Sequence, residues 1–148
     1  MTKKNDNVFD FVEHENKIDK LIKNSFGSSY MSNSKWRKCL TLVDKVAPNI
    51  QVVWKFVGSE NEGVRHGIAP MESLEEKYMN SRFWFGPRYY KEIEWIEFPR
   101  IGKPYGKEKI PSAFFNQDIE AIKEELEVNG KWLIESTQEG FKLYGHKP

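Results

Sequence analysis

An α+β domain built on a mainly antiparallel sheet is what this sequence predicts, with two N-terminal helices, one later helix and a C-terminal β-hairpin. Three observations carry that reading. Residues 81–99, SRFWFGPRYYKEIEWIEFP, place nine Phe, Trp, Tyr or Ile side chains in nineteen positions, split by the turn dipeptide Gly86-Pro87. Residues 49–57 alternate with the two-residue period of a strand. Two stretches before them repeat apolar residues at helical spacing.

The 148 residues fit one domain, 1–148, with 1–7 expected to fray. At that size about two-thirds of the unfolded surface can be buried without disulfides or metals. Aromatics at 14% are a folded composition. Cys39 is the only cysteine, which excludes an intrachain disulfide and points to a reducing compartment. The N-terminus is acid-rich and lacks the apolar core of a signal peptide. No apolar run reaches the roughly 18 residues of a membrane span. A soluble, cytoplasmic protein is expected. Net charge is +1 but segregated: +3 over 1–45, −2 over 46–98, +3 over 99–115 and −3 over 116–148.

In chain order, Ile18, Leu21 and Ile22 predict an amphipathic helix from Asp10 to about 24–27. A second helix starts near Asn33 or Ser34. Trp36, Cys39, Leu40, Val43 and Ala47 line its apolar face and Pro48 stops it. Residues 49–57 form a strand with Ile50, Val52, Trp54 and Phe56 on one face. Residues 58–63 turn. A short strand falls within 64–71, and 72–78 is either one helical turn or a loop carrying Tyr78 to the core. Strands follow at 82–85 and 89–98. In the latter the apolar side switches after Trp95, which suggests a bulge. Residues 99–112, with three prolines and four basic residues, read as a long surface loop. The last helix begins at Asn116 or Gln117, buries Ile119, Ile122 and Leu126, and ends at Gly130. Residues 131–137 and 141–145 form the final hairpin.

The chain shows no catalytic motif and no cofactor signature, and it does not read as an enzyme. His14, His66 and His146 lack metal-ligand spacing, and Cys39 has no second cysteine. Cys39 sits on an apolar helix face as a buried thiol. Residues 58–63 lack the Lys-Ser/Thr of a phosphate loop. Residues 102–107 are rich in Gly and Lys and could contact phosphate; the plainer reading is a basic surface loop. Lys35, Arg37 and Lys38 beside Trp36 read as a solvated face or a nucleic-acid-facing one. Glu92 and Glu94, two apart on a strand, share a face roughly 7 Å apart. They could form a carboxylate pair, but an exposed edge of a binding surface is the better reading. Asp118, Glu120 and Glu124 make the last helix acidic. They read as a solvated face or as a surface that docks a basic partner. Trp84 and Tyr90 beside these charges have the composition of a binding hot spot, and equally that of a sheet core.

The segments SSYMSNSKWRKCL (28–40), VVWKFV (52–57) and FGPRYYKEIEWIEFP (85–99) resemble a family of small bacterial proteins of mostly unassigned function. The chain also resembles immunity proteins encoded beside polymorphic toxins, in particular those of contact-dependent growth inhibition systems. That resemblance implies a cytoplasmic bacterial toxin inhibitor working by protein–protein interaction. It would bind one cognate toxin domain, often a nuclease, and cover its active site. It also implies a fold like that of the Whirly single-stranded nucleic-acid binders. The expected partner-binding residues are Glu92, Glu94, Asp118, Glu120, Glu124, Trp84 and Tyr90. The partner is a toxin domain, with no membrane and no nucleic acid. The alternative is a single-stranded nucleic-acid-binding module using Lys35, Arg37, Lys38 and the 100–109 loop.

Overall fold

A computed structural model describes residues 10–59, 63–80 and 87–148. The expected frayed terminus at 1–7 and the expected strand at 82–85, with Trp84, lie outside the described residues.

The three helices form where spacing and caps demand. Helix α1 spans Phe11–Ser25 and is capped by Asp10, whose carboxylate accepts from Glu13 N–H at 3.0 Å. Helix α2 spans Asn33–Val46 behind Ser32, which accepts from Lys35 N–H. Trp36, Cys39, Leu40 and Val43 are its buried stripe. Helix α3 spans Ile119–Asn129. Asp118 is its cap rather than part of an earlier first turn, and Ile119, Ile122 and Leu126 face inward. No helix of the described residues is long and apolar enough to cross a membrane.

Eleven strands follow the chain among the described residues: β1 (Ser28–Ser29), β2 (Gln51–Phe56), β3 (Val64–Gly67), β4 (Tyr78–Met79), β5 (Arg88–Tyr89), β6 (Ile93–Pro99), β7 (Ile101–Gly102), β8 (Phe115–Asn116), β9 (Ile134–Ser136), β10 (Gly140–Tyr144) and β11 (His146–Lys147). The main sheet has the order β3-β2-β6-β10-β9, antiparallel throughout, with β6 at its centre. Val52, Trp54, Phe56, Ile93, Ile96, Phe98, Phe141 and Leu143 join the buried stripes of α2 and α3 in one core. Phe98 stacks on Phe141 at 4.7 Å. Two tryptophans find backbone acceptors: Nε1 of the buried Trp54 donates to Gly67 O, and Nε1 of the half-buried Trp132 to Leu126 O. Gly140 pairs with Pro99 in the β10–β6 ladder; a Cβ there would collide with the Phe98 carbonyl oxygen, so no larger residue fits.

The face switch expected after Trp95 falls before it, as a bulge at Glu94 between Ile93 and Trp95. Phe56 pairs with Ile93 but Lys55 pairs with Trp95, so one residue of β2 spans two of β6. Ile93 and Ile96 thereby both reach the core, and Trp95 is buried from the opposite face beneath Lys142, whose Nζ lies 4.0 Å from the ring centroid. The expected unbroken strand 89–98 is instead β5, a 3-10 turn over Tyr90–Glu92, and then β6. The expected structureless loop after Pro99 carries the β7–β8 pair, with Phe115 lying on Gly102.

The C-terminus closes the fold. Strand β11 pairs with β1, and His146 sits in the seam. Its Nε2 lies 2.7 Å from Lys91 O and its Nδ1 2.7 Å from Ser29 Oγ. A carbonyl can only accept, so Nε2 carries the proton and Nδ1 accepts from the serine. Burial lowers the His146 pKa from its ordinary 6.5, against smaller raising effects from the Lys91 carbonyl and Glu94. The folded chain thus takes up this proton at lower pH than the unfolded chain. Stability should be full above about 6.5 and decline below it, down to the folded pKa. Urea midpoints measured from about pH 7 to about pH 5 should fall more steeply in the parent than in His146→Gln. Parallel curves would assign the acid sensitivity elsewhere.

Candidate functional site

Glu92 and Tyr90, expected at a partner-facing surface, are buried. In the 3-10 turn the Glu92 side chain points inward, and only 1% of it is exposed. Its Oε2 accepts from Tyr89 N–H at 2.7 Å, and its Oε1 lies 3.0 Å from His14 Nε2 and 3.4 Å from Arg88 Nη1. Tyr90 is fully buried and its hydroxyl donates to Glu75 O at 2.7 Å. Burial pushes that hydroxyl up to about 12. Neither side chain can touch a docked partner. The backbone is the reason: a strand would have put a carboxylate and a tyrosine on one exposed face, whereas the turn rotates both inward.

Glu92 and Glu94 therefore do not form a pair. Glu94 lies at the bulge, half-buried, 3.6 Å from Lys55 Nζ. On the far side of the turn Lys91 reaches α1, bonding Glu15 at 2.5 Å and Asp19 at 2.8 Å. Burial alone would lower the Lys91 pKa, but its bonds to Asp19 and Glu15 outweigh that and hold it above the ordinary lysine value. These groups weld α1 to the sheet.

The basic face of α2 is likewise structural. Lys35 Nζ donates to Lys131 O at 2.8 Å and lies over the Trp132 ring, Lys38 bonds Asn129 O, and Arg37 bonds Glu76 O. Two of these cations meet carbonyls at or just past the C-terminus of α3, where the helix dipole favours positive charge. Cys39 is fully buried. Burial pushes its thiol up to about 12 against a smaller opposing effect of Lys35, so it is no nucleophile at neutral pH. Among the described residues no group of three or more His, Cys, Asp or Glu could hold a metal ion.

What remains at the surface is the outer side of α3. Asp118, Glu120, Glu124 and Glu127 are exposed there, and Val128 is 77% exposed among them. Lys123 bonds Glu127 at 3.9 Å and Arg100 bonds Glu120 at 3.3 Å, both on the surface, where such pairs contribute under about 1 kcal/mol. Glu124 makes no ion pair among the described residues. A groove of about 500 Å³ runs along Glu120, Glu124 and Val128. It shares Lys123 and Glu127 with a second, of about 410 Å³, that reaches Trp132 and Ile134. Asp118 edges a third depression beside Phe115 and Ile50.

Sequence reasoning missed a second surface. Gln51 and Gln117 clasp each other and the β7–β8 arm. Gln51 N–H donates to Gln117 Oε1, Gln117 Nε2 donates to Gln51 O and Pro99 O, and the Gln51 amide bonds both backbone groups of Lys103. The clasp fixes the base of an arm whose tip residue, Tyr105, is 98% exposed. Isolated glutamines carry no motif, and only their position opposite the 99–103 backbone gives them this role.

No family model, no curated protein and no solved structure matches this chain.

The contrast between the two glutamates is testable. Glu92→Ala strands the buried Tyr89 N–H and removes the carboxylate from the partly exposed Arg88 and His14, and should cost about 2–3 kcal/mol. Glu94→Ala loosens a partly exposed pair and should cost about 1 kcal/mol or less. Urea unfolding of both variants decides it: equal losses would remove the buried role of Glu92.

Proposed function

We propose that this chain is an immunity protein of the contact-dependent growth inhibition type, which binds a cognate toxin domain and covers its active site. The observation that carries this reading is the outer face of α3. Three glutamates surround an exposed valine there, and the grooves to either side end on Trp132 and Phe115. An apolar contact ringed by charge is how a protein interface is built. The sign of that charge selects the partner. A nuclease must be basic where it grips phosphates, so its active-site cleft is the complementary surface. Charge complementarity steers the encounter and fixes the register, while Val128 and the aromatics supply the dry contact. A stable interface covers about 800 Å² of each partner. One three-turn helix offers less than that, so the contact extends over the grooves on both sides. The size and character of the chain, which resemble those of immunity proteins, support the same reading; in the cytoplasm, where the sequence leads one to expect it, the chain would meet an incoming toxin.

Co-expression with the toxin domain encoded beside this chain is the direct test. The pair should co-purify and the host should survive. Glu120→Lys with Glu124→Lys should weaken binding by about 10-fold or more, mainly through slower association, with unchanged unfolding midpoint. Glu72→Lys, an exposed reversal away from α3, should leave binding unchanged. Absence of a complex, or full affinity after the double reversal, would overturn the proposal.

A further inference from the structure

We propose that the cavity between the β7–β8 arm and β3 is a nucleotide site, with the phosphate held by Arg65, His66 and Lys103 and the base stacked on Tyr105. The cavity measures about 280 Å³ and is lined by these four residues with Glu108. That is the low end of ligand sites, large enough for a mononucleotide and too small for a dinucleotide cofactor.

Arg65 carries the argument. Its Nη1 donates to Gln51 Oε1 at 3.1 Å and to Ile101 O at 3.2 Å, so the guanidinium is held by one corner. Among the described residues its Nε and Nη2 have no partner. That remaining edge is the fork that binds a phosphate bidentately, here oriented in advance by the glutamine clasp. The same clasp fixes the Lys103 backbone through its N–H and its carbonyl, and its ammonium, now 5.2 Å from the Phe114 ring centroid, would swing from that ring to reach the phosphate. Tyr105 stands free at the arm tip and offers a ring face that any base can stack on. Glu108 separates a nucleotide from a bare anion. The Gly106 N–H bonds its Oε1 at 2.9 Å and holds its carboxyl below the ordinary range, so it stays anionic. A carboxylate there repels inorganic phosphate but accepts from a sugar hydroxyl or a base amino group. The site is separate from the α3 face, so its failure leaves toxin binding untouched.

The test is an amide and arginine side-chain NMR titration of the full chain with adenosine monophosphate, inorganic phosphate and a six-nucleotide oligoadenylate. Adenosine monophosphate should shift Arg65, His66 and Tyr105 and should bind about 10-fold tighter than phosphate. Arg65→Lys keeps the charge and loses the fork, and should weaken the nucleotide about 10-fold. Tyr105→Ala, at an exposed tip where folding is not at risk, should abolish the preference over phosphate. Oligoadenylate binding about 10-fold tighter than the monophosphate, through the same residues, would identify the terminus of a single strand as the source; equal affinity would identify the free nucleotide. No shifts at about 5 mM monophosphate, or equal affinity for phosphate and nucleotide with Tyr105→Ala silent, would overturn the proposal.

Discussion

The fold turns on one buried carboxylate. A charge removed from water must be paired and hydrogen-bonded or it destabilises the protein by several kcal/mol. Glu92 meets that demand with the Tyr89 N–H, the Arg88 guanidinium and His14. These partners come from β5 and α1, so neither element can separate from the turn without stranding the charge. The same 3-10 turn points Lys91 at Glu15 and Asp19 and presents the Lys91 carbonyl to His146. The first helix and the last strand are thus both fastened to the three residues before β6. Among the described side chains of helix α1 only Ile18 is a fully buried apolar one, and Leu21 and Val12 are exposed, so this polar anchor matters more to it than that stripe does.

A second constraint fixes the opposite end of the sheet. The strand pair after Pro99 is only two residues on each side and would be marginal alone. Gln51 and Gln117 make it rigid by satisfying backbone groups that the short ladder leaves open. The result is a basic arm held firmly at its base beside an acidic helix. The two are adjacent in sequence, and Arg100 and Glu120 meet where they join.

Much of this was legible in the sequence. The helices followed from apolar spacing, β2 from strict alternation and the final hairpin from its turn residues, because each is a local periodic signal. That a bulge was needed was also legible, since two apolar runs out of phase cannot share one face without an extra residue, but the alternation put it after Trp95 and it lies at Glu94. The turn at Tyr90–Glu92 was not. Its residues continue the alternation of a strand, and only a tertiary partner for Glu92 bends them away. The roles of Lys35 and Lys38 were hidden for a related reason: their acceptors are carbonyls near the end of a helix more than 90 positions later. Of the expected partner-facing residues, Asp118, Glu120 and Glu124 lie exposed along α3. Glu94 is half-buried beside Lys55, and Trp84 lies outside the described residues.

The placement of charge constrains how any partner can approach. At physiological salt, fields between exposed groups decay over about 8 Å. A basic surface drawn to Glu120, Glu124 and Glu127 therefore feels the Arg100 end of the arm but little of its tip. Arg100 already neutralises part of Glu120 and Lys123 part of Glu127, so attraction is strongest toward Glu124. One turn toward the C-terminus lie Val128 and the groove to Trp132. Apolar contact and uncompensated negative charge thus coincide at the C-terminal half of the helix. The arm, of opposite sign, repels the same partner from the N-terminal half. A single helix whose open charge, Glu124, lies one turn from the exposed Val128 and away from the basic arm gives a docking partner one orientation along its axis, which a uniformly acidic helix would not.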